Sequence, residues 1–149
     1  MSSNVWSNLR DKFKNQERCS EASCHDKEGD AGGDDDGIEP PDRAEIGRAA
    51  WRYLHTRAAN YPERPSGREQ EDAQAWIASF VQLYPCSHCA EAFVEICAAM
   101  PPNVSTRTDH SMWWCKAHNS VSADLMKEAK PCDPAKLIAA GQNGLFLDE

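Results

Sequence analysis

Two thiols stand close together in Cys86-Ser87-His88-Cys89, directly after Tyr84-Pro85 and at the head of an apolar-faced run that reads as a helix. The unpaired amide groups and the dipole of a helix N-terminus favour a thiolate there, which suits the pair to redox chemistry or to metal binding. The chain holds seven cysteines. Cys19 and Cys24 lie nearer the N-terminus, Cys115 and Cys132 flank a helical stretch, and Cys97 is left over. Three pairs and a single is the simplest partition, although spacing leaves the connectivity open. Cys86, Cys89, Cys115 and His118 also form a C-x2-C, C-x2-H set acceptable for tetrahedral zinc, so a zinc-binding helical interaction module is the alternative reading. A dithiol that cycles between thiol and disulfide accounts for more of the cysteines, with Cys115 and Cys132 then available to staple a short last helix to the one before it. A thioredoxin-like reading lacks its βαβ context.

The elements that must hold these groups read as helices. Asp42 N-caps a first helix that runs to about Ala59, where Asn60-Tyr61-Pro62 breaks it. Ser66-Gly67-Arg68-Glu69 is a capping box ahead of Ala73, Trp76, Ile77, Phe80, Leu83 and Tyr84, one apolar stripe at helical spacing. A third helix starts at the CxxC and aligns Cys86, Cys89, Ala90, Phe93, Ile96, Cys97 and Met100 before Pro101-Pro102 stops it. The fourth, from about Thr108 to Lys127, turns Trp114, Cys115, His118, Val121, Ser122 and Leu125 inward. Asp133-Pro134 opens a short fifth helix ending at Gly141. No segment alternates as a strand does, so the expected fold is all-α: a four-helix up-and-down bundle with a short fifth helix and a flexible acidic N-terminal arm.

The arm covers residues 1–41, the domain 42–141 and a tail 142–149. Asp34 to Asp36 read as a solvated linker, and Val5, Trp6 and Phe13 give the arm no more than a short amphipathic segment. A chain of 149 residues can bury one good core, and its net charge of −8 disfavours nucleic acid or an anionic membrane surface as partner. No apolar run approaches the roughly 20 residues needed for membrane insertion, and the N-terminus lacks a signal-type pattern. Gly47, Trp51 and His55 recur every four residues and line one stripe of the first helix. A helical glycine costs about 1 kcal/mol against alanine, which implies that something packs closely on Gly47, either a neighbouring helix or a flat ring system. Trp76 and Phe80 read as core, Cys97 as an inert small hydrophobe, and His118 as a core histidine bonded to a carbonyl or as a ligand contact.

Taken in order, Gly47-Arg48, Trp51, Leu54-His55-Thr56, Tyr61-Pro62, Tyr84-Pro85-Cys86-Ser87-His88-Cys89, Trp114-Cys115, His118-Asn119, Val121 and Cys132 resemble the FAD-linked sulfhydryl oxidases of the Erv/ALR type. The resemblance spans about Ile46 to Cys132. It implies a four-helix bundle with a short fifth helix, usually a homodimer, holding FAD with the flavin ring beside the CxxC. Cys86 and Cys89 would be the catalytic pair, Cys89 facing the flavin and Cys86 exchanging with an incoming disulfide partner. Cys115 and Cys132 would form a structural disulfide. The FAD pocket would draw on Gly47, Arg48, Trp51, His55, Tyr61, Cys89, His118, Asn119, Val121, Ser122, Leu125, Lys127 and Lys130. Asn119 suits that pocket because a buried amide needs partners, which an adenine edge supplies. Ser122 stands where an Asn is usual and Ala139 where many members carry a Trp, and both departures weaken contacts to the cofactor.

The implied reaction starts with a substrate protein dithiol that reduces the shuttle pair Cys19 and Cys24. Electrons then pass to Cys86, through Cys89 to FAD, and on to oxygen, giving hydrogen peroxide, or to a haem protein such as cytochrome c. Shuttle pairs in the family commonly have C-x2-C spacing, whereas this pair is C-x4-C. About 17 residues separate Cys24 from Asp42, a flexible length spanning roughly 20–25 Å that reaches either protomer of a dimer. The same resemblance places the protein in the mitochondrial intermembrane space, with that compartment's import oxidoreductase as a substrate. A scaffold that keeps the family's shape without its activity is a third reading.

Overall fold

The computed structural model describes residues 4–14, 24 and 40–144. Local capping chemistry sets most element ends. α2 (Arg43–Ala59) starts in a closed capping box, in which Glu45 N–H donates to the Asp42 carboxylate at 2.9 Å and Asp42 N–H to the Glu45 carboxylate at 2.8 Å. α3 (Gly67–Gln82) repeats the device with Ser66 and Glu69. α4 (Ser87–Ala99) has Cys86 as its N-cap, α5 (Arg107–Asp124) has Thr106, and α6 (Pro134–Gln142) has Asp133 followed by proline. Each cap takes up an amide that has no partner inside its helix.

α2 packs on α5 and α6, α5 on α4 and α6, and α4 on α3. α3 closes the bundle beside α2, but the two stand apart along a groove of about 670 Å³ whose walls include Ile46, Tyr53, Trp76 and Phe80. The core joins Leu54 and Ala58 of α2, Ile77 and Val81 of α3, Val94 and Cys97 of α4, and Trp113, Trp114 and Ala117 of α5. Every described element is helical, as expected, and no described helix is long and apolar enough to cross a membrane.

Three features depart from the sequence reading. Trp76 and Phe80 are half-buried groove walls rather than core, and Leu83 is 78 % exposed. In α5 the buried residues are His110, Ser111, Trp113, Trp114, Cys115 and Ala117, so Trp114 and Cys115 face inward as expected, whereas Leu125 is exposed and His118, Val121 and Ser122 are half-buried. That helix contacts α2, α4 and α6, so helical periodicity alone cannot choose which stripe is deepest.

The third departure is α1 (Asn4–Lys14), which falls in the stretch read as flexible arm. It buries Trp6, Leu9 and Phe13, and packs on α4 and α3. The spacing of these three side chains puts them on one face, and Leu9 is the member that the sequence reading overlooked. A helix of this length is marginal in water without a packing partner, so the bundle supplies what local propensity does not. Cys19, the Asp34–Asp36 run and the tail beyond Gly144 lie outside the described residues.

α5 ends three residues before Lys127 because Met126 adopts a left-handed conformation, φ 58°. Met126 N–H donates to Ala123 O at 3.0 Å and Lys127 N–H to Ser122 O at 2.8 Å, the bond pattern of a Schellman cap. Glycine normally fills that position, which is why the sequence concealed the stop. A left-handed non-glycine residue costs about 1–2 kcal/mol, part of which a glycine gives back as unfolded-state entropy. Met126→Gly is therefore expected to stabilise the protein by about 0.5–1 kcal/mol. The check is a higher urea midpoint at unchanged slope.

His110 is a fully buried imidazole that the sequence reading did not single out. Trp114 Nε1–H donates to its Nε2 at 3.3 Å, and its ring lies 4.7 Å from that of Tyr61. Desolvation, reinforced by the charge of Arg57 and opposed by the Asn103 backbone, lowers its pKa from 6.5 to about 4. The folded state holds this histidine neutral, whereas the unfolded chain takes up a proton below pH 6.5. Its contribution is complete above pH 6.5 and is lost as the pH falls toward 4, by roughly 3 kcal/mol in all. His110→Gln, which keeps an acceptor for Trp114, should flatten the fall of stability between pH 7 and pH 4.5 in denaturant titrations.

Candidate active site

At the N-terminus of α4, Cys86 and Cys89 form a disulfide, and Cys89 N–H donates to Cys86 Sγ at 3.2 Å. After reduction that amide and the helix dipole stabilise negative charge on Cys86. The two sulfurs differ in access: Cys86 is buried and Cys89 is half-buried. Cys97, the free thiol of the same helix, is buried, and desolvation pushes its pKa up, so it is inert as expected.

One turn beyond Cys89, Phe93 meets Trp51 of α2 edge-on at 6.1 Å and stacks on Trp114 of α5 at 6.0 Å. Trp51 in turn lies parallel to His118, with centroids 4.0 Å apart and planes 8° apart. His118 Nδ1 and His55 Nε2 share a hydrogen bond of 2.9 Å, so one ring donates and the other accepts. Protonating both rings would set two N–H groups against each other. A second histidine is thus a hydrogen-bond partner of His118, a pairing that residue spacing did not show. Phe93 was read only as core; its place one turn from Cys89 was the signal that it links the dithiol to this aromatic seam.

A Cβ built on Gly47, one turn before Trp51, meets nothing within 4 Å. Helix packing therefore does not explain the glycine, and the stripe Gly47, Trp51, His55 keeps one end open for a flat group. α2, α4 and α5 together join Trp51, His55, His118 and Phe93 in one seam, with Gly47 one turn before Trp51 and Cys89 one turn before Phe93. Arg48, Leu125, Lys127 and Lys130 are exposed.

Two members of the predicted pocket are engaged elsewhere. Asn119 spends its amide on the backbone of Lys130, donating to Lys130 O at 2.9 Å and accepting from Lys130 N–H at 2.9 Å. It pins the loop leading to Cys132. Tyr61 is buried with its hydroxyl donating to Val104 O at 3.0 Å and its ring against His110, so its contacts are with the core and not with Trp51, His55 or His118.

Cys115 and Cys132 form a disulfide that ties α5 to the approach of α6. This disposes of the zinc set: Cys86 and Cys89 are joined to each other and Cys115 to a different partner, so the four ligands are not assembled. Among the described residues no group of three or more potential ligands is placed to hold a metal ion. Cys24 is buried and disulfide-bonded.

Residues 48–140 match the Erv1/Alr family. The chain belongs to the Erv1/Alr family. It is 36 % identical over 94 residues to the FAD-linked sulfhydryl oxidase ERV1 of Arabidopsis thaliana, covering 63 % of this chain and 49 % of that protein. It is 33 % identical over 96 residues to the mitochondrial FAD-linked sulfhydryl oxidase ERV1 of Saccharomyces cerevisiae, covering 64 % and 51 %. The chain therefore spans about half the length of the curated relatives it matches. In structure it is similar to the yeast Erv1 core, with a TM-score of 0.67 and 28 % identity over 79 % of this chain and 98 % of that one. The FAD binding domain of yeast Erv1 matches with a TM-score of 0.64 and 30 % identity, covering 70 % and 98 %. The family match runs from within α2 to within α6, and α1 lies outside those residues.

Proposed function

We propose that this protein is an FAD-dependent sulfhydryl oxidase that makes disulfides in protein dithiols. One observation carries the reading: the Cys86–Cys89 disulfide sits at a helix N-terminus, with Cys89 one turn from an aromatic seam that ends at an open glycine. The names of its relatives point the same way.

The residues present fit a flavin nucleotide. Trp51 and His118 offer stacked rings, Gly47 admits close approach, and Arg48, Lys127 and Lys130 supply cations for a pyrophosphate. Bound there, FAD would take the electron pair of the reduced dithiol and hand it to an acceptor. The chain's own part is to keep Cys89 on the seam, to stabilise the Cys86 thiolate through the Cys89 amide, and to hold the His55–His118 pair in complementary tautomers. Asn119 serves by fixing the Lys130 loop.

The finer parts of the proposal are these. Cys19 and Cys24 form the shuttle pair that takes electrons from the substrate, and oxygen or cytochrome c is the final acceptor. The protein works in the mitochondrial intermembrane space as a homodimer, and the apolar α2–α3 groove, with Tyr53 55 % exposed at its wall, is the face that a second copy covers. Purified protein should show the visible flavin absorption band and consume oxygen on addition of a small dithiol. A colourless protein sinks the reading, and a flavoprotein without dithiol-dependent oxygen uptake favours the inactive scaffold.

A further inference from the structure

His88 is the one side chain of α4 able to carry a positive charge, because that helix holds no lysine or arginine. It stands at the second helical position, directly before Cys89, exposed and without a hydrogen bond, ion pair or ring contact among the described residues. The N-cap backbone is extended, with φ −93° and ψ 101°, and folds Cys86 Sγ back over the first turn, where the Cys89 amide donates to it. That turn also carries His88. Cys86 is fully buried, so a thiolate left there by reduction lacks the water that would otherwise solvate it. One amide and the helix dipole offset part of that loss, and a cation on the same turn offsets more. The dipole itself disfavours a cation at this end, but Glu91, three residues on and half-buried, favours the protonated imidazole. Among the elements packed on α4, α3 leads into Tyr84, whose phenol is pushed up by burial and stays neutral. α5 brings His118, bonded to His55, with Lys116 and Asp124 exposed, and α1 brings Asp11, Lys12 and Lys14, all exposed.

We propose that a protonated His88 stabilises the Cys86 thiolate and thereby makes the Cys86–Cys89 pair a stronger oxidant of incoming dithiols. The inference rests on that pair being the redox dithiol of the proposed function. In the step concerned a substrate dithiol gives up two electrons, and its own disulfide forms as the Cys86–Cys89 bond breaks. Of the two protons that the substrate releases, one goes to Cys89 and the other to His88 or solvent, while Cys86 keeps the negative charge. His88 is a positioning residue here: it forms no bond to the substrate and acts on the equilibrium through Cys86, by charge alone. Charge leaves a signature that packing lacks. The advantage is present near pH 7 and fades at alkaline pH, where an imidazole has lost its proton.

The test equilibrates the purified full-length protein anaerobically with mixtures of reduced and oxidised dithiothreitol. After acid quench and alkylation, peptide mass spectrometry reads the fraction of Cys86–Cys89 that is reduced. In His88→Gln the pair should be about threefold to fivefold harder to reduce than in wild type at pH 7, the scale of an exposed ion pair, and the two proteins should converge at pH 9. His88→Lys, whose charge persists, should match wild type at pH 7 and be easier to reduce than wild type at pH 9. Equal equilibria for wild type and His88→Gln at pH 7 would overturn the proposal. So would a His88→Gln shift of the same size at both pH values, or a His88→Lys protein that behaves like His88→Gln. Helicity and an intact Cys115–Cys132 bridge report the fold of each variant. Absence of flavin or of dithiol-dependent oxygen uptake in the wild-type protein would instead sink the functional reading, while the disulfide equilibrium is still read from the same peptide.

Discussion

Cys89→Ser should lower dithiol-dependent oxygen consumption by a factor on the order of a thousand while leaving bound flavin in place. The reason is positional. Cys89 is half-buried, one turn from Phe93, and Phe93 touches Trp51 and Trp114. It is the sulfur that shares a helix face with the seam proposed to hold the flavin, and a hydroxyl there cannot take part in thiol–disulfide exchange. Cys86→Ser should cost a similar factor for a different reason, since it removes the sulfur that the Cys89 amide stabilises at 3.2 Å. Anaerobic dithiol titration separates these losses from a folding defect: both variants should keep wild-type helicity and the Cys115–Cys132 bridge, yet take up electrons through no internal disulfide of the CxxC. Retention of more than a tenth of the wild-type rate in either variant would exclude the pair as the route to the acceptor.

Removing the second bridge should act on stability rather than on chemistry. Cys115→Ser/Cys132→Ser opens a cross-link between residues 17 apart in sequence. In the chain-entropy account that loop contributes about 3 kcal/mol. For a domain of this size the melting temperature should fall by roughly 6–12 °C. α6 is short, nine residues, and depends on packing against α2 and α5 for its place. The Asn119 amide would still hold Lys130, so α6 should loosen rather than depart, and flavin content should fall less than stability does. Calorimetry of oxidised wild type and the double variant decides the matter; equal melting temperatures would show that the bridge carries no structural load.

Sequence reading went furthest where interactions are local. Asp42 with Glu45, Ser66 with Glu69, and Asp133 before Pro134 are caps that close within one turn, and the structure forms each of them where residue types require it. It went astray where one residue type stood in for another, as with Met126 in a conformation that glycine usually takes. It also went astray where a neighbour distant in the chain made the choice. Periodicity showed that α5 was amphipathic but not which stripe three surrounding helices would cover, and Trp6 and Phe13 looked like ornaments of an arm until α4 provided the surface that buries them.

By itself, then, the sequence determined an all-α bundle of this family, a dithiol at a helix start, and a Gly47, Trp51, His55 stripe aimed at one partner. Those follow from covalent order and from contacts one turn long. The Cys115–Cys132 bridge is the one that the family resemblance implied; only the tertiary structure decided that His118 bonds His55, that Asn119 holds Lys130, and that α1 lies along α4. Each of these joins groups that lie far apart in the chain, on separate elements, or at a register that residue spacing leaves undetermined, so the packed core had to choose among partners that the sequence left equally available.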